Sequence, residues 1–339
     1  MAPTSGVTSY NPARDVVIKR ALRMVGAYSA DGNPTATQIV DANDVLNMLL
    51  SDWTMDGMLW LKCFGTLFLN KGQQKYSIAP STTTGFSHCA VSRNPGDTPY
   101  VQTVTTVSAA IGATSVTVLS VAGMTNADYA GVANDNGIIE WFYASIAGLV
   151  ISLKSDVALT TPAALSVAAA SGNVVYSHTV LSQASRPTRI TSAVRKLYDP
   201  IAANGYEISL EPSEGISRTD YERLPNKTTQ GKVISYYYDP QLVSGQLYTW
   251  PTADTPGDKL VITMDREIQD MVGDTDTFDV PQEALVAVSY NLALMLEPEY
   301  PLDGNSFQKL SAVAIATKTK LMNFNREMSA TSFQIDWRQ

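Results

Sequence analysis

The residues with the chemistry to cleave bonds or hold metals are few and scattered. The chain has two histidines, His88 and His178. Each lies in turn-rich sequence with no partner at metal-ligand spacing, and the HExxH pattern is absent. Both read as surface or packed imidazoles. Glu207, Glu211 and Glu214 could supply the paired carboxylates of glycoside hydrolysis, which needs an acid and a base or nucleophile flanking the sugar bond. On an edge strand and its following turn, they read more simply as solvated charges. Asp270, Asp274, Asp276 and Asp279 resemble a cation loop but lack the spacing and closing glutamate of an EF-hand. Carboxylates ahead of a helix complement its positive N-terminal end, and that reading is preferred. Cys63 and Cys89 are the two cysteines. They have no CxxC spacing and read as unrelated buried thiols in a reducing compartment. Gly231-Lys232 is followed by Val233, so it is not a phosphate loop, and no GxSxG occurs. Tyr236, Tyr237, Tyr238, Tyr248 and Trp250 could stack on bases or sugars, but packing between strands is the simpler reading. No catalytic residue, no metal ligand and no cofactor are expected.

Charge narrows the partners. The 339 residues carry a formal net charge of −8. No Lys/Arg run of the kind that neutralises phosphates is present, which argues against sequence-specific duplex binding. Passive contact with passing DNA is compatible with an acidic surface, on which DNA slides without sticking. Met1 to Tyr10 has neither a charged start nor an apolar core, so no secretory signal is expected. No apolar run reaches the roughly eighteen residues of a membrane span, and no membrane contact is expected.

Periodicity supplies the elements. Asn11-Pro12 resembles a cap followed by a proline at the first helical position. Ala13, Val16, Val17, Ala21, Met24 and Val25 then fall on one face, with Arg14, Lys19, Arg20 and Arg23 largely elsewhere, and Gly26 ends the helix. Thr35 and Gln38 have the spacing of a capping box. Ile39, Ala42, Leu46, Leu49, Leu50 and Trp53 make the stripe of a second helix, stopped by Gly57. Beyond Leu59 the period shortens. Short β-rich runs alternate with turns, as in Tyr76–Ile78, Ser115–Val118, Leu149–Leu153, Asn173–Tyr176, Val233–Tyr238 and Leu260–Met264. Helices return at Pro281. The last one opens near Asp303, with Phe307, Leu310, Ala314, Thr317, Leu321, Phe324 and Met328 recurring at steps of three and four, a seam for packing on other helices. From Thr331 the pattern alternates: Phe333, Ile335 and Trp337 face one way. The expected architecture is α+β. A helical bundle formed by both chain ends (1–70 and 276–330) carries a β-rich domain (71–100 and 179–275) between its second and third helices. A small β domain (101–178) is inserted into that, and 331–339 form an extended tail.

Two stretches resemble a known family. The first contains Asp41-Ala42, then Leu49-Leu50-Ser51-Asp52-Trp53, then Asp56-Gly57-Met58-Leu59-Trp60. The second contains Phe278-Asp279-Val280-Pro281-Gln282-Glu283-Ala284-Leu285, Tyr290-Asn291-Leu292-Ala293 and Glu297-Pro298-Glu299-Tyr300. Both resemble the head-to-tail adaptors of short-tailed bacteriophages, the tail accessory factors or packaged-DNA stabilisation proteins. Tyr221–Lys227, Tyr238–Leu242 and Leu247–Pro251 resemble larger members of the group, whereas 101–178 has no counterpart in compact ones. The resemblance implies a structural virion protein, not an enzyme. It would form a ring, usually of twelve copies, between the portal and the tail. It would extend the DNA channel, help retain packaged DNA, and meet the tail nozzle and fibres. It also implies assembly in the bacterial cytoplasm, location at the head–tail junction, and a C-terminal segment reaching the portal. Phe333, Ile335 and Trp337 are therefore the expected portal-binding residues. Phe307, Leu310, Leu321 and Phe324 are the expected packing seam. The alternatives are a receptor-binding fibre or spike protein, in which Glu207 or Glu211 would matter, and a tail-tube or stopper protein.

Overall fold

A computed structural model describes residues 10–29, 31–57, 61–78, 88–93, 98–179, 186–198, 206–242 and 244–324. These divide into two compact units, one from 1–61 with 268–339 and one from 62–267. Five α-helices occur among the described residues. Four of them, α1 (Arg14–Met24), α2 (Ala36–Met55), α4 (Leu285–Leu296) and α5 (Gly304–Phe324), belong to the first unit, and the short α3 (Arg218–Arg223) to the second.

The helical unit is held by one apolar core. Ile18, Leu22, Leu46, Leu50, Trp53, Val288 and Leu292 are fully or almost fully buried there. The two ends of the chain are also tied by polar contacts. The Arg14 backbone N–H donates to the Asp276 carbonyl at 2.8 Å, and Ala13 bridges Thr277 in antiparallel fashion. The side-chain amides of Asn43 and Asn47 both donate to the Met271 carbonyl, at 3.2 and 3.1 Å. Asn11 does not cap α1. The N-cap is Ala13, which makes no side-chain cap bond, and the bridge to Thr277 holds the helix start instead. Thr35 and Gln38 do form the reciprocal pair: the Gln38 N–H donates to Thr35 Oγ1, and the Thr35 N–H donates to Gln38 Oε1. Thr35→Ala is expected to cost about 1 kcal/mol of stability, read as a lowered denaturation midpoint; an unchanged midpoint would show the cap to be redundant. Gly26 (φ +70°) and Gly57 (φ +66°) follow α1 and α2 in the left-handed conformation that terminates helices at low steric cost.

The second unit is β throughout, apart from α3. Its central five-stranded antiparallel sheet runs β11 (Glu207–Ser209), β10 (Arg189–Lys196), β16 (Lys259–Asp265), β1 (Lys62–Phe68), β3 (Cys89–Ser92). β1 and β16 pair along seven residues, from Lys62↔Asp265 to Phe68↔Lys259. A three-stranded sheet runs β13 (Ser235–Pro240), β14 (Gly245–Trp250), β2 (Lys75–Ser77), and β12 (Gln230–Gly231) pairs in parallel with β15 (Thr252–Ala253). Residues 101–178 fold into a six-stranded antiparallel sheet. Its order is β4 (Val101–Val104), β9 (Val174–His178), β6 (Tyr129–Ala133), β7 (Ile139–Ala147), β8 (Val150–Lys154), β5 (Ser115–Thr117). This sheet has its own aliphatic core around Val118, Val132, Ile151, Leu153 and Val175. A second, aromatic cluster joins it to the five-stranded sheet through Phe68, Tyr100, Tyr129, Trp141 and Tyr176.

The α+β expectation of a helical bundle with an inserted β-rich domain is therefore corrected. Among the described residues, sixteen strands in four sheets outweigh five helices, and the chain is mainly a β-sheet protein. The physical reason lies in signal strength. A twenty-residue helix such as α2 repeats its apolar stripe over several turns, whereas strands of two or three residues such as β5, β12 and β15 repeat nothing. The helices weigh more in a sequence pattern than in the fold.

Candidate functional site

The residues with chemical potential are drawn into structural roles. His88 and His178 do come together, inside the aromatic cluster of the β unit. Trp141 Nε1–H donates to His88 Nδ1 at 3.0 Å, which makes His88 an acceptor and a neutral ring. The His178 ring packs edge-on to Tyr129 and Trp141, at centroid distances of 5.1 and 5.2 Å, and stacks with Phe68 at 6.1 Å. Burial, reinforced by the neighbouring His178, pushes the His88 imidazole down to about 4. Among the described residues, no group of His, Cys, Asp or Glu side chains could hold a metal ion.

The carboxylates are dispersed. Glu207 lies on the edge strand β11, 3.8 Å from Lys196 Nζ, and Glu211 and Glu214 are exposed on the turn that follows. Asp276 accepts from the backbone N–H groups of Gly273 and Val272, at 2.6 and 2.9 Å, so it closes a turn and does not face a helix end. Those two bonds hold its carboxyl below the usual range. Cys63 and Cys89 are buried thiols that form no disulfide with each other. Burial pushes the Cys63 thiol up to about 11 and the Cys89 thiol higher still. The tyrosines split by strand period. Tyr236 is in the core, whereas Tyr237 and Tyr248 stack on each other and pack against Tyr221 at 5.3–5.7 Å.

One interaction in the β unit carries no sequence signal. Lys259 is 1% exposed, and its ammonium lies over the rings of Tyr176 and Tyr100 at 5.1 and 5.5 Å. It donates to Gln102 Oε1 at 2.9 Å. It thus links the two large sheets by charge and ring quadrupole together. A lysine in an alternating strand reads as an outward residue until its partners are known.

The helical unit leaves apolar side chains exposed along α4 and α5. Leu310 and Leu321 of the expected seam are buried beside Ala314, against the core that α4 also fills. Phe307 and Phe324, at the two ends of α5, are 38% and 73% exposed. Between α4 and the end of α5 lies an open, mostly apolar groove of about 430 Å³. It is lined by Glu283, Val286, Ala287, Thr317, Lys320, Leu321 and Phe324. α4 is apolar almost all round, yet Val286 and Met295, half a turn round the helix from each other, are 45% and 41% exposed. Sequence periodicity could have found this, because a helix with no polar face must bury every side or leave one for a partner. Phe333, Ile335 and Trp337 lie outside the described residues.

No family model matches the chain, and no curated protein matches it.

Proposed function

We propose that the chain is a head-to-tail adaptor of a short-tailed bacteriophage, a structural virion protein that joins the portal to the tail and continues the DNA channel. The observation that carries this reading is the meeting of the two resembling stretches. Residues near the start and residues near the end of the chain, separated by the whole β unit, share one helical core. Open apolar surface on α4 and α5 supports an assembly role, since exposed apolar patches of this kind mark contact sites. In this reading the partners are further copies of the chain, the portal, and the nozzle and fibre proteins, with packaged DNA passing through the ring. The mechanism is association, and no residue has a catalytic role.

The test is native mass of the purified full chain, alone and mixed with the portal ring of the same phage. The adaptor reading expects a complex of roughly twelve copies on the portal, in keeping with closed cyclic symmetry. A stable free trimer indifferent to the portal overturns it and favours a receptor-binding fibre.

The tail supplies a second expected outcome. Phe333, Ile335 and Trp337 are the portal-binding residues in this proposal, each contributing roughly 1.5–3 kcal/mol when buried in a partner. Deleting Ser332 to Gln339 is expected to leave the denaturation midpoint unchanged and to weaken portal docking. Undiminished docking by the truncated chain removes the tail from the contact.

A further inference from the structure

We infer that the outward ridges of α1 and α2 are the two halves of a contact between copies of this chain, α1 of one copy meeting α2 of the next. The inference rests on the adaptor reading only for the closure of those contacts into a ring. The α1 ridge is Val16, Arg20 and Arg23, spaced i, i+4, i+7 and exposed opposite the buried Val17, Ile18, Ala21 and Leu22. The α2 ridge is Val40, Asp44, Met48 and Met55, exposed opposite Ala42, Leu46, Leu49 and Trp53.

Each ridge combines exposed apolar surface with charge of one sign: Val16 beside two arginines on α1, and Val40, Met48 and Met55 around Asp44 on α2. Val16 and Val40 are 51% and 59% exposed, and Met48 and Met55 are 64% and 80% exposed. The twenty residues of α2 contain aspartates and neither lysine nor arginine. Lys318 of α5 lies 3.7 Å from Asp52 and 3.2 Å from Asp56, so that end of the helix is already compensated. Asp41 and Asp44, the latter one turn from Met48, carry the negative charge of the ridge. On α1 the cations Lys19, Arg20 and Arg23 outnumber Asp15, which is itself 2.8 Å from Arg14.

The pairing follows from the signs. A face-to-face contact of two α1 ridges sets arginine against arginine, and two α2 ridges set aspartate against aspartate. Only α1 on α2 brings opposite charges together while covering the exposed valines and methionines. A contact between two different patches of one chain is heterologous, and repeated around an axis it generates a ring. Methionine suits the ridge of a repeated contact because its unbranched side chain adapts to the surface it meets.

The experiment uses the full chain and two single variants, Arg20→Glu and Asp44→Lys. Both positions are exposed, and far-ultraviolet circular dichroism checks that each variant folds. Native mass is followed over a wide concentration range. The wild type is expected to associate as concentration rises, and each single variant to remain monomeric. An equimolar mixture of the two variants is expected to regain association. The two reversed charges then face each other at one contact, and the two native charges face each other at the next. A wild type that stays monomeric at every concentration overturns the inference, and so do variants that associate like the wild type. Variants that associate normally but no longer bind the portal ring also overturn it, by turning these ridges towards the portal. A charge-dependent closed dimer supports the contact and counts against the ring, so the two readings fail separately.

Discussion

Acidification is expected to destabilise the β unit by about 3 kcal/mol between roughly pH 6.5 and pH 4, over and above the loss caused by carboxylates. The group responsible is His88, whose folded-state value is pushed down to about 4 by burial and by His178. A base with a lowered value binds fewer protons folded than unfolded. The unfolded chain therefore gains a proton as pH falls through the ordinary histidine range, and the folded chain does not until about pH 4. The contribution of His88 is fully present above the unfolded value and shrinks as pH falls through the window below it. Geometry gives the same sign. The Nδ1 atom that would take the proton accepts the Trp141 indole N–H at 3.0 Å, and protonation breaks that bond. The ring is also packed near Tyr76, at 6.3 Å between centroids, with no carboxylate among the causes of its shift to stabilise a cation. The measurement is urea denaturation of the wild type and of His88→Gln at a series of pH values. Glutamine keeps an acceptor near Trp141 and cannot titrate. The difference in stability between the two proteins should change in favour of the variant as pH falls. A pH-independent difference would show that His88 takes up its proton in the folded chain as readily as in the unfolded one.

Trp53→Ala is expected to cost the helical unit about 3–5 kcal/mol, the range for removing a large buried aromatic. Trp53 has no exposed surface and lies with Leu49, Leu50 and Leu296 in the core shared by both chain ends. Its ring also holds Lys318, whose ammonium is 5.8 Å from the centroid while it bridges Asp52 and Asp56. The substitution removes packing from three helices at once, so the cost should fall at the upper part of that range. Denaturation followed by the helical circular-dichroism signal measures it. Trp53→Phe keeps most of the apolar volume and should lose less than half as much. A cost under about 1 kcal/mol for the alanine variant would mean that the core collapses onto the vacated space.

How much of the fold is legible in the sequence depends on the length over which a residue pattern repeats. The stripe from Ile39 to Trp53 and the Thr35–Gln38 box define α2 closely because each is a local, repeated arrangement. The six-residue run Val233–Tyr238 overlaps β13, and Leu260–Met264 falls within β16. The balance between classes is misread from pattern alone, because short strands signal weakly and a β-sheet protein looks like a helical one. Asn11 meets the local requirements of a cap, yet a bridge to Thr277, distant in sequence, takes that role. His88, His178 and Lys259 illustrate the harder limit. Their surroundings come from strands far apart in the chain, and nothing adjacent in sequence announces a packed imidazole pair or an ammonium between two tyrosines. The exposed methionines of α2 are plain in the sequence, on the outward side of the stripe, where sequence alone does not distinguish a solvated ridge from an unpaired one.

The two buried thiols have a practical corollary for labelling. Cys63 and Cys89 lie in strands of the five-stranded sheet, and their raised values leave almost no thiolate at neutral pH. Thiolate is the form that attacks maleimides and iodoacetamides. The native chain is consequently a silent background for such reagents while it is folded. A single cysteine introduced on an outward ridge can accept a fluorophore or spin label without first removing the natural pair. Release of reactivity at Cys63 and Cys89 in turn reports opening of the β unit, a reporter of unfolding already built into the sequence.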